Sequence, residues 1–492
     1  MANLTSEQTR LTLGARGLGL TDVVAQALGA VGPVFGALTF LPLIAGGGGA
    51  GAGGAVPLSI LFSAAAVFGV AWTLSRFARR LDTTGSVYDY ISRSFGDRAG
   101  TAFGSLSYFA TILGIATTPL IFGGYLEDFL ASRFGLTAPW WLISLGFVVV
   151  VAVVLALGVS ISTRAQLALT LLSMLTVIAF SVSVIVRGLA GGAVPAQAPF
   201  DVGSSTGGWL GVCWGLLYGL FIFSGFESAA NLAEETPNPK RSVPRAMLIT
   251  VGLVTTFHLL VAYATVVGFG LDGGEVARYP VPLLALAAPG SFGAAWLVDL
   301  LTVMVLLDIF ALTVAICVGG SRGLFALARD GRLPAAFTKV SRTRNIPVLG
   351  VTVPVVWMAV VVIAVHVTGG LLSRAQEGSD QLAPEYMPVF SWLGGLQGLV
   401  TAITWGTVCL GALGWLRRRD SRRGYLVGAA GLGVLAGCGV LFASLYHAPA
   451  SVYVALALVI AFLIFSVAQS TIQRRRGRFT VSAARLVDSE ED

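Results

Sequence analysis

The 492-residue sequence contains few charged residues, because Asp, Glu, Lys and Arg make up only 11% of it while 55% of its residues are hydrophobic. Lysine occurs only at Lys240 and Lys339, and neither position fits the glycine-rich phosphate-binding loop. The three histidines form no H-E-x-x-H zinc motif. These absences argue against a large soluble domain, ATP-driven pumping and zinc hydrolase chemistry. We therefore expect no cofactor, no metal site and no catalytic residues.

Cysteine is also scarce. The four cysteines all fall inside apolar segments: Cys213, Cys317, Cys409 and Cys438. This placement predicts free thiols in a hydrophobic interior and argues against a disulfide framework or a CxxC metal site.

Long apolar runs, in contrast, recur along the whole chain. About 20 consecutive apolar residues are enough for a helix to cross a bilayer. The runs predict an all-α integral membrane protein with twelve transmembrane helices, at roughly 18–44, 56–75, 100–130, 140–158, 165–187, 209–233, 245–270, 293–328, 347–368, 387–415, 424–445 and 450–472.

The formal net charge of +7 would suit a nucleic-acid partner, but the basic residues alternate by loop. With the N-terminus in the cytoplasm, every Lys and Arg lies in an inner segment except Arg133, Arg187, Arg278 and Arg374. The positive-inside rule then predicts a multi-pass protein of the cytoplasmic membrane with both termini in the cytoplasm. We expect the lipid bilayer as a partner and no nucleic acid.

Two predicted spans carry signs of a break in the helix. Span 1 contains the segment 29–33, Gly-Ala-Val-Gly-Pro, and span 6 contains the segment 224–227, Ser-Gly-Phe-Glu. Glycine permits unwound backbone and proline removes a donor. The offset of five spans predicts two inverted repeats, and open half-helix ends would suit the carboxylate and the ammonium of an amino acid. The alternative is that these glycines only allow close helix packing.

Several longer motifs resemble those of the amino acid-polyamine-organocation transporters. They are the segments 85–88 (Gly-Ser-Val-Tyr), 163–166 (Thr-Arg-Ala-Gln), 225–228 (Gly-Phe-Glu-Ser), 234–235 (Glu-Glu), 238–239 (Asn-Pro), 244–246 (Pro-Arg-Ala) and 322–334. The resemblance implies a leucine-transporter-type 5+5 inverted repeat with discontinuous helices 1 and 6. Its parts would be an inner segment 1–17, repeats 18–187 and 209–415, helices 11 and 12 in 424–472, and a cytoplasmic tail 473–492.

The resemblance also implies where a substrate binds. Its carboxylate would meet backbone amides of the first break, at Gly29, Ala30, Val31 and Gly32. Its ammonium would meet carbonyls of the second break, near Phe221, Ser224 and Gly225, with the Phe221 ring closing over the substrate. One departure bears on ion coupling, because the lysine that many relatives hold within span 5 aligns with Ser173.

Ionisable residues inside predicted spans are expensive to insert into a membrane and need a partner, water or a proton. Glu227 borders the second break, and we expect a gating or proton-linked role there, with a structural hydrogen bond as the alternative. For Asp308 in span 8 we expect a structural hydrogen bond, with coupling or substrate contact as the alternative. His258 is expected to be structural, and Asp299 to line the outer mouth.

These features predict a secondary active transporter, not an enzyme, that moves amino acids by alternating access. Uptake with a coupling proton is the preferred hypothesis. An amine or polyamine transporter and an uncoupled amino acid exchanger stay open as alternatives. A channel or a receptor is a different class, and the sequence holds no signalling domain that would favour a receptor.

Overall fold

The computed structural model describes residues 17–46, 51–81, 83–157, 163–192, 194–341, 347–372, 385–417, 422–445 and 450–475. Within these ranges the regular structure is helical apart from two isolated β-bridges. Nearly all of the predicted inner segment 1–17 and of the predicted tail 473–492 lies outside the described residues.

The α-helices of at least nine residues are numbered here in chain order. They are α1 (Leu20–Val31), α2 (Pro33–Gly46), α3 (Val56–Ala78), α4 (Val87–Phe95), α5 (Ser105–Gly114), α6 (Thr117–Phe134), α7 (Trp140–Leu157), α8 (Thr163–Ala190), α9 (Gly208–Phe221), α10 (Pro239–Gly268), α11 (Ala295–Arg329), α12 (Val348–Leu372), α13 (Met387–Gly411), α14 (Arg423–Leu445) and α15 (Ala450–Arg475). A 3₁₀-helix, Phe226–Glu235, follows α9.

The predicted all-α membrane architecture is confirmed. Among the described residues, eleven helical segments are long and apolar enough to cross a membrane. A shorter apolar helix, Trp140–Ala156, lies where the fourth span is predicted, so the count of twelve crossings stays a prediction. The cysteines in the described ranges are free thiols, as expected, but the predicted interior position holds fully only for Cys317 and Cys409. Cys213 is half-buried, and Cys438 is exposed on an outer face of α14.

Burial separates central from peripheral spans. In the most apolar stretch of the first span, which α1 and α2 form, 94% of the residues are buried. In the corresponding stretch of α15 only 17% are buried. The α1 helix contacts α8, α10, α11 and the 3₁₀-helix, and α3 packs along α10. Since an apolar helix buried on all sides belongs in the middle of a bundle, α1 lies at its centre, and the apolar surface of α15 is left to face lipid.

The two ends of the bundle are distinguished by their contacts. At the end where α1 begins, called here the N-terminal side, the amide of Leu18 donates to the carbonyl of Glu235 at 3.3 Å. At the opposite side, the amide of Gly207 donates to the carbonyl of Gly51 at 3.2 Å. Arg133 and Asp299 form an ion pair on that opposite side.

Candidate functional site

The first span is broken at a single residue. Gly32 has φ +57° and ψ 66°, in the left-handed region that glycine adopts without strain, and Pro33 begins α2. The Gly32 amide still donates to the carbonyl of Leu28 at 3.2 Å. The break is therefore narrower than the sequence indicates, because Gly29, Ala30 and Val31 form the last turn of α1.

The second break separates α9 from the 3₁₀-helix. The helix ends at Phe221, and the amide of Ser224 donates to the Phe221 carbonyl at 2.8 Å. Gly225 has φ +120°, and a Cβ atom at this position would overlap the carbonyl oxygen of Ala30. Only glycine suits this backbone, and it brings the two breaks into direct contact.

A carboxylate caps the half-helix that follows each break. The Asp308 side chain of α11 accepts a 2.8 Å hydrogen bond from the amide of Phe35, in the first turn of α2. The Glu227 side chain folds back and accepts a 3.0 Å hydrogen bond from the amide of Gly225, just before the 3₁₀-helix. Negative charge is favourable at both places because the first amides of a helix are unpaired and carry the positive end of its dipole.

His258 of α10 lies between the two breaks. Its Nε2–H donates to the carbonyl oxygen of Pro33 at 3.2 Å, and its ring contacts that of Phe223 with centroids 5.0 Å apart. The side chain is fully buried. This arrangement places His258 against both interrupted helices.

A cavity lies beside the breaks and reaches toward the N-terminal side, where Ser86 and Tyr108 line it. On the opposite side it meets an aromatic cluster in which the Phe40 ring lies 4.8 Å from Phe221 and 4.9 Å from Phe390. The predicted site residues that line this cavity are Ala30, Val31, Phe221, Ser224, Gly225 and Glu227. The structure thus brings most of the predicted substrate site together around one space.

The remaining predicted residues lie close to the breaks but face other side chains. A side chain at Gly29 would collide with Gln166, and one at Gly32 would press against Leu312. The hydroxyl of Ser173 donates to the carbonyl of Met304 at 3.4 Å, one turn before Asp308. Sequence reasoning did not single out several further lining residues, among them Phe40 and Gln397.

Buried ion pairs link the helices at the N-terminal side of the bundle. The guanidinium of Arg322 binds Glu235 at 2.5 Å, and that of Arg329 binds Glu234 at 2.9 Å, so the end of the 3₁₀-helix is tied to the end of α11. The Tyr88 hydroxyl of α4 donates to Asp330 at 2.9 Å. These residues come from sequence motifs that are far apart in the chain.

Asp89 of α4 lies beside these ion pairs, outside the membrane-spanning segments. Burial, with the nearby negative charge of Asp330, raises the pKa of Asp89 to about 7. A carboxyl group with this pKa changes charge near neutral pH.

Within the described ranges, no three His, Cys, Asp or Glu side chains cluster as metal ligands would.

Comparison with known proteins supplies relatives for this architecture. The branched-chain amino acid permease BcaP of Bacillus subtilis (strain 168) is 25% identical over 350 residues, which cover 68% of this chain and 71% of that protein. The amino-acid permease inda1 of Hypocrea atroviridis is 24% identical over 383 residues, covering 74% of this chain and 62% of that protein.

Solved structures share the fold. MhsT in complex with L-phenylalanine matches with a TM-score of 0.60 at 15% identity, over 88% of this chain and 99% of that chain. A manganese transporter of Eremococcus coleocola matches with a TM-score of 0.55 at 14% identity, over 94% of this chain and 97% of that chain. At such identities the likeness concerns the fold alone.

The family assignment rests on the longest match. The model of the family described as amino acid permease covers residues 26–485, nearly the whole chain. This agrees with the resemblance to amino acid-polyamine-organocation transporters seen in the sequence motifs. The chain belongs to the amino acid permease family, whose members are membrane transporters and not enzymes.

Proposed function

We propose that this protein is a secondary active transporter that carries an amino acid across the cytoplasmic membrane by alternating access. The contact between Gly225 and Ala30, at the edge of a shared cavity, carries this proposal. Interrupted helices that meet inside a membrane protein offer backbone groups to a polar substrate without exposing them to lipid. The printed names of the relatives, amino acid permeases, support the same substrate class.

The proposed topology has twelve crossings with both termini in the cytoplasm. Two inverted repeats, 18–187 and 209–415, each begin with an interrupted helix. In this arrangement the N-terminal side faces the cytoplasm, so the cavity described above opens inward and the aromatic cluster around Phe40 closes the outer side. Rocking of one group of helices against the other would close the inner side of the cavity and open its outer side.

The substrate in this proposal lies between the breaks. Its ammonium meets the carbonyls of Phe221 and Ser224, and its carboxylate meets amides at the end of α1. The amides of Ala30 and Val31 belong to the last helical turn here, so substrate binding would open that turn. Pro33 makes this easier, because it has no N–H to offer the carbonyl four residues earlier.

Proton coupling through Glu227 completes the proposal. Glu227 lines the cavity and its carboxylate holds the amide of Gly225. A proton arriving from the cavity would weaken that hydrogen bond, since a neutral acid is a poorer acceptor than a carboxylate. The state of the second break and the protonation of Glu227 would thereby be linked. Asp308, which caps α2 but faces away from the cavity, is the next candidate.

Purified protein in liposomes tests the proposal directly. Uptake of a labelled amino acid should saturate and be stimulated by the same amino acid on the other side, which a channel would not show. Competition should require both the α-carboxylate and the α-amine. A decarboxylated amine that competes as strongly as its parent amino acid would favour an amine transporter, and flux that depends only on substrate on the other side would favour exchange.

A further inference from the structure

One polar side chain in the cavity has no hydrogen-bond partner for its buried oxygen. Gln397 lies in the middle of α13, is 9% exposed and lines the same cavity as Phe221 and Ser224. Its Oε1 atom is shielded from solvent and accepts no hydrogen bond from any described residue. A buried amide oxygen left without a partner costs about 1 to 3 kcal/mol. This position therefore suits a group that arrives with a ligand.

Several other polar groups that line the cavity are already satisfied within the protein. The hydroxyls of Thr111, Thr117 and Thr118 donate to carbonyls of their own chain segment at 2.9, 2.7 and 2.8 Å. The Tyr108 hydroxyl donates to the Gly85 carbonyl at 3.1 Å. These side chains line the cavity, but their hydroxyl groups already donate to the protein. The Gln397 amide is therefore the group that can make a new hydrogen bond.

The surroundings of Gln397 give the amide room. Gly114 of α5 faces it, and any side chain there would collide with the Gln397 amide. One turn earlier in α13, Gly394 lies against the Phe40 ring, and a Cβ there would also come within 3.9 Å of Phe221. The amide thus lies next to the aromatic end of the cavity.

Charge restricts what this space can hold. Among the described residues that line the cavity, Glu227 is an acid and none is a lysine or an arginine. An acidic substrate side chain would lack a counter-ion, and burying an unpaired charge is costly. A neutral side chain fits better, and the primary amide of glutamine can both donate to and accept from it.

We propose that Gln397 determines specificity, by hydrogen bonding to the side chain of a neutral amino acid that carries a hydroxyl or amide group. This inference rests on the proposed function, because it assumes that the substrate's backbone groups are held at the breaks. A purely aliphatic substrate would leave the Gln397 amide buried without a partner. The site therefore discriminates threonine from valine, which has nearly the same shape and lacks the hydroxyl.

The test compares two such pairs, threonine with valine and asparagine with leucine, as competitors of labelled uptake into proteoliposomes. Wild type should bind the polar member about tenfold more tightly, which corresponds to one hydrogen bond of about 1.4 kcal/mol. Gln397→Leu should bring both ratios close to one, chiefly by weakening the polar member. Thr404→Val is the matched control, since Thr404 lies in the same helix and its hydroxyl bonds Val400. It should keep the wild-type ratios.

The wild-type measurement does not depend on a variant that folds. If wild type takes valine and leucine as tightly as threonine and asparagine, the inference is overturned while amino acid transport stands. Ratios that are unchanged in a well-folded Gln397→Leu protein also overturn it. If wild type shows no saturable uptake of any amino acid, the proposed function itself is rejected.

Discussion

The backbone amide of Phe35 donates a 2.8 Å hydrogen bond to the carboxylate of Asp308, which lies 273 residues further along the chain. In the other interrupted helix, the backbone amide of Gly225 donates to the carboxyl group of Glu227 in the same way. Each half-helix that starts at a break thus meets a carboxyl group supplied by the protein itself. The breaks are stabilised by side chains before any substrate is present.

Replacement of Asp308 should reveal how much its cap contributes. Asp308→Ala leaves the buried amide of Phe35 without an acceptor, and we expect a loss of about 2 kcal/mol in stability. Asp308→Asn keeps an oxygen acceptor and should lose less. Thermal unfolding in detergent, followed for both variants beside wild type, measures the difference. An alanine variant that melts with wild type would show that the amide finds another partner.

Glu227→Gln should separate net uptake from exchange. Glutamine keeps an acceptor for the amide of Gly225 but cannot titrate. Net uptake should therefore no longer depend on an imposed pH gradient, while exchange persists. Glu275→Gln, at an acid on the opposite side that pairs with Arg278, is the control and should respond as wild type does. An equal response of Glu227→Gln and wild type would remove Glu227 as the proton carrier. A wild type that ignores the pH gradient and requires sodium would reject proton coupling altogether.

The contact between the breaks should not tolerate even one methyl group. Gly225→Ala combines a backbone at φ +120° with overlap of the Ala30 carbonyl, so we expect a lower melting temperature and loss of substrate binding. Gly320→Ala is the control within the same cavity, because a Cβ there meets no atom within 4 Å. It should remain folded and bind substrate. Normal melting and uptake by Gly225→Ala would contradict the geometry of the break.

Asp89 should make stability depend on pH near neutrality. Its pKa is raised to about 7, above its ordinary value near 4, so the folded protein holds a proton that the unfolded chain has released. This contribution favours the fold at low pH and is lost as the pH rises through 7. Asp89→Asn should therefore gain stability relative to wild type between pH 6 and pH 8.

Melting temperatures at both pH values test this prediction, with Asp201→Asn as the control. Asp201 is exposed on the opposite side and its side chain accepts from the amide of Gly203, which asparagine can also do. The control should follow wild type at both pH values. A pH dependence of Asp89→Asn that is indistinguishable from wild type would show that Asp89 keeps its charge throughout this range.

The sequence predicts the interrupted helices because Gly, Pro and an acid within an apolar run have few other uses. It does not predict the register of the first break. Gly29 looks as suitable for unwinding as Gly32, yet the left-handed turn lies at Gly32. Both glycines pack against side chains of other helices, Gln166 and Leu312. Tertiary contacts of this kind leave no local pattern in a sequence.

The sequence also does not show which side chains contact each other in the fold. The motifs around Glu235 and Arg322 are recognisable, but their 2.5 Å ion pair joins segments that the sequence alone does not bring together. Gln397 was missed because a single amide within span 10 has no periodicity, although its polarity inside a predicted span is a signal. The roles of the predicted site residues stay predictions, which the variants above address.

The spacing of the two breaks is set by backbone atoms, since Gly225 meets the carbonyl of Ala30 with no side chain between them. Side-chain substitution therefore cannot fine-tune this spacing, because glycine has nothing left to shorten and alanine is already too large. The point where the two interrupted helices touch therefore has a fixed separation. Gln397 lies outside this contact. The specificity proposed for it could therefore change by substitution without altering the separation of the two interrupted helices.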